Sequence, residues 1–78
     1  MAQHDLTTTP VQIGRAGQQV VVSNLGPDTV YLGYANDVDS TNGLPVPVSS
    51  GYEFPHDLTK DLFAVSGGTS DIRTLVVG

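Results

Sequence analysis

Cysteine is absent from this sequence, lysine and glutamate occur once each, and basic residues number three. Without cysteine there is no disulfide and no thiolate metal site. Two histidines, His4 and His56, cannot furnish a histidine-rich metal cage, so no cofactor is expected. Arg15, Lys60 and Arg73 are scattered along a chain of net charge −5. No cation cluster therefore exists to release counterions from nucleic acid or to hold an anionic membrane surface, and neither partner is expected. Apolar runs are short, Val20-Val21-Val22 among them, against the ~20 residues that cross a bilayer as a helix. The first nine residues lack the basic and apolar regions of a signal peptide, which predicts a soluble product made in a cytoplasm.

What is present favours strands. Valine, threonine and isoleucine supply 21 of the 78 residues, and β-branched side chains suit a pleated surface better than a helix. Strong helix formers are scarce: four alanines, one glutamate, one lysine and one methionine. Leucine, isoleucine, valine and phenylalanine make up 22 residues, about 28% and above the ~20% that marks disordered chains. A chain this short forms one domain and buries only ~60% of its unfolded surface. Small cores are supported by disulfides, a metal or association with other chains; with the first two excluded, association is expected.

Punctuation by glycine, proline and asparagine divides the chain. Residues 1–9 are polar and read as an extended N-terminal arm outside a single domain over residues 10–78. Strands are predicted over residues 11–13, 19–24, 29–34, 52–54, 62–66 and 71–77. In the third of these, Val30 and Leu32 take one face and Tyr31 and Gly33 the other. Residues 14–17, 25–28 and 67–70 read as turns, and Asn42-Gly43 as a tight turn favouring positive φ. Leu44-Pro45-Val46-Pro47-Val48 lacks two backbone donors and suits an edge strand or a covering loop. Leu75-Val76-Val77-Gly78 is apolar and predicts a strand paired within the sheet or against a neighbouring subunit. Six or seven short strands at roughly ten-residue spacing predict an all-β fold, a small antiparallel β-sandwich or barrel.

Chemistry-bearing residues are few. His4-Asp5 and His56-Asp57 are sequence neighbours whose side chains point apart in extended chain, and no serine or threonine has a nucleophile-elbow context. A non-enzymatic protein is expected. Asp37-Val38-Asp39-Ser40-Thr41-Asn42-Gly43 places oxygen ligands at alternate positions, as calcium loops do. A cation held by Asp37, Asp39 and Asn42 is one reading; a solvated turn is the other. Against the EF-hand template the glycine falls one place late, and the bidentate glutamate is replaced by Val48. Residues 14–17 and 66–69 share only glycine content with phosphate-cradling loops. Tyr31, Tyr34 and Tyr52 read as half-buried sheet residues or, with the acidic loop, as the surface of a tail or fibre module that recognises a host glycan.

Two stretches, Asn24-Leu25-Gly26-Pro27-Asp28-Thr29-Val30-Tyr31-Leu32-Gly33 and the run from Leu62 to Leu75, resemble short proteins encoded among the structural genes of tailed bacteriophages and prophages. Between them, Thr41-Asn42-Gly43-Leu44-Pro45 matches a loop that family tends to carry. The resemblance spans about residues 19–78 and does not reach the arm. It implies a small β-sandwich virion component of capsid-decoration (cement) or head-fibre type, often trimeric, and brings no catalytic residues. The expected protein sits on the capsid exterior, binds the major capsid protein as a homo-oligomer and stabilises the shell. Its arm, with His4, Asp5 and Leu6 as contacts, would order on the neighbour as it binds. Deleting residues 1–9 is then expected to weaken attachment and leave the fold intact.

Overall fold

Alternation along the apolar segments is what the fold exploits. In the computed structural model, which describes residues 2–53 and 59–76, eight strands and no helix are present among those residues. They are β1 (Ala2–Leu6), β2 (Val11–Gly14), β3 (Val20–Pro27), β4 (Val30–Gly33), β5 (Leu44–Val46), β6 (Gly51–Glu53), β7 (Leu62–Ser66) and β8 (Ser70–Val76). Two four-stranded antiparallel sheets form, in the orders β1-β8-β3-β6 and β2-β7-β4-β5. β1 pairs with β8, β2 with β7, β3 with β6 and β4 with β5, so the chain is one long hairpin whose successive segments alternate between sheets. The β3–β8 and β4–β7 ladders then knit each sheet together. That connectivity is a jelly roll, a sandwich of two Greek keys. Phe54, Pro55 and His56 lie outside the described residues, as do Val77 and Gly78.

Every second residue of the long strands faces inward. Val20, Val22, Val30, Leu32, Val46, Leu62, Ala64 and Ile72 meet between the sheets, with Leu6 and Ile13 closing the core and Tyr52 packed against it. Aliphatic side chains of similar size fill it. The molecule's accessible surface is 4286 Å², close to the ~4,500 Å² of a folded monomer of this mass. The sandwich therefore closes within one chain, and the fold does not need association to complete it.

Three expectations are corrected. First, residues 2–6 are extended but are not a free arm: β1 lies along the edge of β8, with Ala2 opposite Thr74 and Leu6 opposite Ser70, and Leu6 is only 1% exposed. Backbone ladder bonds need no apolar composition, and a single leucine anchors the strand. Second, residues 25–27 continue β3 instead of turning. A bulge between Asn24 and Gly26 absorbs the irregularity, Gly26 takes φ 90° and the Gly26–Pro27 peptide is cis. Third, Gly43 does not have positive φ. It is a glycine because a Cβ there would stand 2.6 Å from Tyr31 Cβ and 2.8 Å from the Asp39 carbonyl oxygen. The Pro45 segment is the edge strand of its sheet, as its missing donors require.

Candidate functional site

The two glycine-rich turns with the look of phosphate cradles already hold anions, and the anions are the chain's own. In the β2–β3 turn, Asp61 Oδ1 accepts the Ala16 N–H at 2.9 Å. In the β7–β8 turn, Asp28 Oδ2 accepts the Thr69 N–H at 2.9 Å. The two buried serines of that hairpin are also committed. Ser70 Oγ donates to the Asp28 carbonyl at 2.6 Å and accepts from its N–H, while Ser66 Oγ, 3.1 Å from Ser70 Oγ, accepts the Gly68 N–H. These hydroxyls fasten the β7–β8 turn to the β3–β4 turn, with no imidazole in the network.

The acidic loop has a similar internal economy. Asp39 Oδ1 accepts the N–H groups of Thr41 and Asn42 at 2.8 and 3.1 Å. Asn42 Oδ1 returns the bond to the Asp39 N–H at 2.9 Å, and the Gly43 N–H closes a single α-turn on the Asp39 carbonyl. This is the reciprocal arrangement of a capping box, applied to one isolated turn. Asp39 Oδ1 and Asn42 Oδ1, candidate cation ligands, are turned onto backbone donors, and no group of three His, Cys, Asp or Glu side chains gathers among the described residues. Replacing Asp39 with alanine removes both bonds and should cost about 1 kcal/mol, read as a lower urea midpoint at unchanged slope.

Val38 pins this loop to the outer surface of the β2-β7-β4-β5 sheet. It is 4% exposed and stands so close to Gly33 that a Cβ there would lie 2.7 Å from Val38 Cγ2. The loop thus arches over the end of β4 and leaves an open depression of about 370 Å³ edged by Tyr34, Asp37, Asn42 and Lys60. The Lys60 ammonium lies 5.6 Å from the centroid of the Tyr34 ring. Tyr34 also borders a smaller apolar cleft of about 90 Å³ formed with Leu32, Leu44 and Leu62. Tyr34, Asp37 and Asn42 were legible as candidates in the sequence; Lys60 was not, being brought there by the approach to β7.

No family model, curated protein or solved structure matches the chain.

The remaining sequence candidates are dispersed. Leu6 is in the core and cannot serve as a surface contact. His4 is half-buried opposite Ile72, and Asp5 is exposed opposite Asp71. There, Gln3 Nε2 donates to Asp5 Oδ1 at 3.3 Å and Arg73 pairs with Asp71, offsetting two carboxylates placed across from each other. His56 falls outside the described residues. Tyr31 lies on the outer surface of β4 and Tyr52 packs against the core, so the three tyrosines do not share one surface.

Proposed function

We propose that the chain is a non-enzymatic structural protein of a bacteriophage virion, a capsid decoration protein that binds the outer capsid surface as a homotrimer and stabilises the shell. One observation carries this reading: apolar side chains stand on the outer faces of a sandwich whose core is already closed. The β2-β7-β4-β5 sheet presents half-buried Tyr31 and Phe63 beside Val65, Pro45 and Gln12, and the other sheet presents Val21 and Leu75 as well as Gln3, Asp5, Asp71 and Arg73. Val65 is buried although it points away from the core. Outward apolar side chains on a domain whose core is already closed suit contact with further copies. With residues 2–6 paired to β8, these side chains offer contact surface that an N-terminal arm does not. Sedimentation of the purified chain should give a species near three times 8.2 kDa, and Phe63→Lys should return it to a monomer with little loss of melting temperature. A wild-type chain that stays monomeric at high concentration would rule against the trimer, and a few copies per particle by cryo-EM, instead of hundreds, would rule against head decoration.

A second reading, a tail or fibre module that binds a host-surface glycan, is favoured by a separate observation: Tyr34 and the acidic loop edge one depression.

A further inference from the structure

The chemistry around Tyr34 is specific enough to name a ligand class. We propose that the depression edged by Tyr34, Asp37, Asn42 and Lys60 is a binding site for a neutral sugar unit; this rests on the glycan-binding reading above.

The depression, at about 370 Å³, falls within the ~300–1,000 Å³ of small-molecule sites. Its polar groups are complementary to hydroxyls. The Asp37 carboxylate has no partner among the described residues and offers acceptors only, while the Lys60 ammonium offers donors only. Asn42 Nδ2 spends one hydrogen on the Asp37 carbonyl, at 3.3 Å, and keeps the other. A hydroxyl is both donor and acceptor, so one sugar ring can satisfy all three groups at once.

Charge selects against the alternatives. Asp37 and Lys60 carry opposite unit charges and form no ion pair with each other, the one ion pair among the described residues being Asp71–Arg73. An anionic ligand would face Asp37 and a chain of net charge −5; a cationic one would face Lys60. A neutral polyol leaves neither charge opposed. Tyr34, 40% exposed, supplies an apolar wall for the C–H face of a pyranose, continued by the cleft of Leu32, Leu44 and Leu62. The hold of Lys60 on this ring at an exposed site is worth only ~0.5–1 kcal/mol, weak enough for the ammonium to turn to a ligand.

The site is also held in place. Val38 is buried beneath the loop, and the Asp39–Asn42 cap fixes the turn that carries Asn42. Such pre-organisation lowers the ordering cost of binding.

The test is an NMR amide-shift titration of the full chain with glucose, galactose, mannose, N-acetylglucosamine and, separately, N-acetylneuraminic acid, alongside a glycan array. At least one neutral sugar should bind in the millimolar range and shift Gly33, Tyr34, Asp37, Asn42 and Lys60. Tyr34→Ala and Asp37→Asn should each weaken it tenfold or more while the melting temperature stays within a few degrees, and Tyr52→Phe should change nothing. Preference for the anionic sugar overturns the ligand class. Array binding that persists in both variants, with shifts clustered elsewhere, overturns the site but leaves the glycan reading standing. Absence of binding to free sugars and array alike removes both.

Discussion

Asn24→Asp should be the most damaging conservative substitution in this protein, lowering stability at neutral pH by about 3 kcal/mol or more. Asn24 is fully buried, and its side chain joins three parts of the chain. Nδ2 donates to the carbonyls of Asp28 and Val46, both at 2.9 Å, and Oδ1 accepts the Gly26 N–H at 2.9 Å. Its backbone adds two bonds at 2.9 Å: the N–H donates to the Ser50 carbonyl, and the carbonyl accepts from Ser49. Aspartate keeps the shape but replaces the double donor with an oxygen facing two carbonyl oxygens. Each buried group left unpaired costs ~1–3 kcal/mol, and an ionised carboxylate costs more.

The sign of the pH dependence follows. Burial against two acceptors raises the folded-state pKa of the new carboxyl above its unfolded value of ~3.9. The folded form then binds a proton that the unfolded form releases, so the variant loses stability as pH rises from ~4 toward the raised folded value. Its deficit relative to wild type should shrink on acidification to pH 4. Asn24→Ala loses the same bonds without a charge, and its deficit should not depend on pH through this site. Urea unfolding of the three proteins at pH 4 and 7 decides the matter; a variant Asn24→Asp as stable as wild type at pH 7 would refute the assignment.

Loss of β1 should have the next largest effect. Leu6→Ala removes a fully buried core side chain, a change that typically costs ~2–5 kcal/mol. At ~4–8 °C per kcal/mol for a domain of this size, the melting temperature should fall by about 8 °C or more. Deleting residues 1–9 goes further. It removes the five-residue ladder on β8, the Thr7 carbonyl that accepts the Ser66 N–H at 2.8 Å, and the cover on a strand edge that would then be free to pair with other chains. The truncated chain should unfold at lower denaturant or aggregate on concentration. Gln3→Ala, at an exposed position on the same strand, should stay within ~0.5 kcal/mol of wild type. Circular dichroism melts check all three, and an unchanged melt for the truncated chain would restore residues 1–9 to the status of a free arm.

These two predictions sit where local sequence is least informative. Asn24 precedes Leu25-Gly26-Pro27, a context that reads as a turn, because asparagine, glycine and proline are turn formers wherever neighbours are not considered. Its burial depends on the carbonyl of Val46, 22 residues away. β1 has one large apolar residue and no alternation strong enough to mark a strand; the open edge of β8 recruits it through the backbone. The depression beside Tyr34 was half visible for a related reason. Tyr34, Asp37 and Asn42 are neighbours in sequence, and their residue types suggested a ligand, but Lys60 joins them only when the chain returns toward β7.

By itself the sequence determined that the chain is all-β, that its strands are short and that they form a small antiparallel sandwich or barrel. The reason is that β-branched content, period-two alternation as at Val30 and Leu32, and turn residues all act over a few neighbouring positions. Only the tertiary structure decided the order of the strands, the jelly-roll winding and the place of residues 2–6. It also placed Tyr31, Phe63 and Val65 together on an outer sheet face and gathered the polar rim around Tyr34. Those features arise from pairings between segments tens of residues apart, where each strand takes whichever open edge completes its backbone hydrogen bonds and buries its inward face.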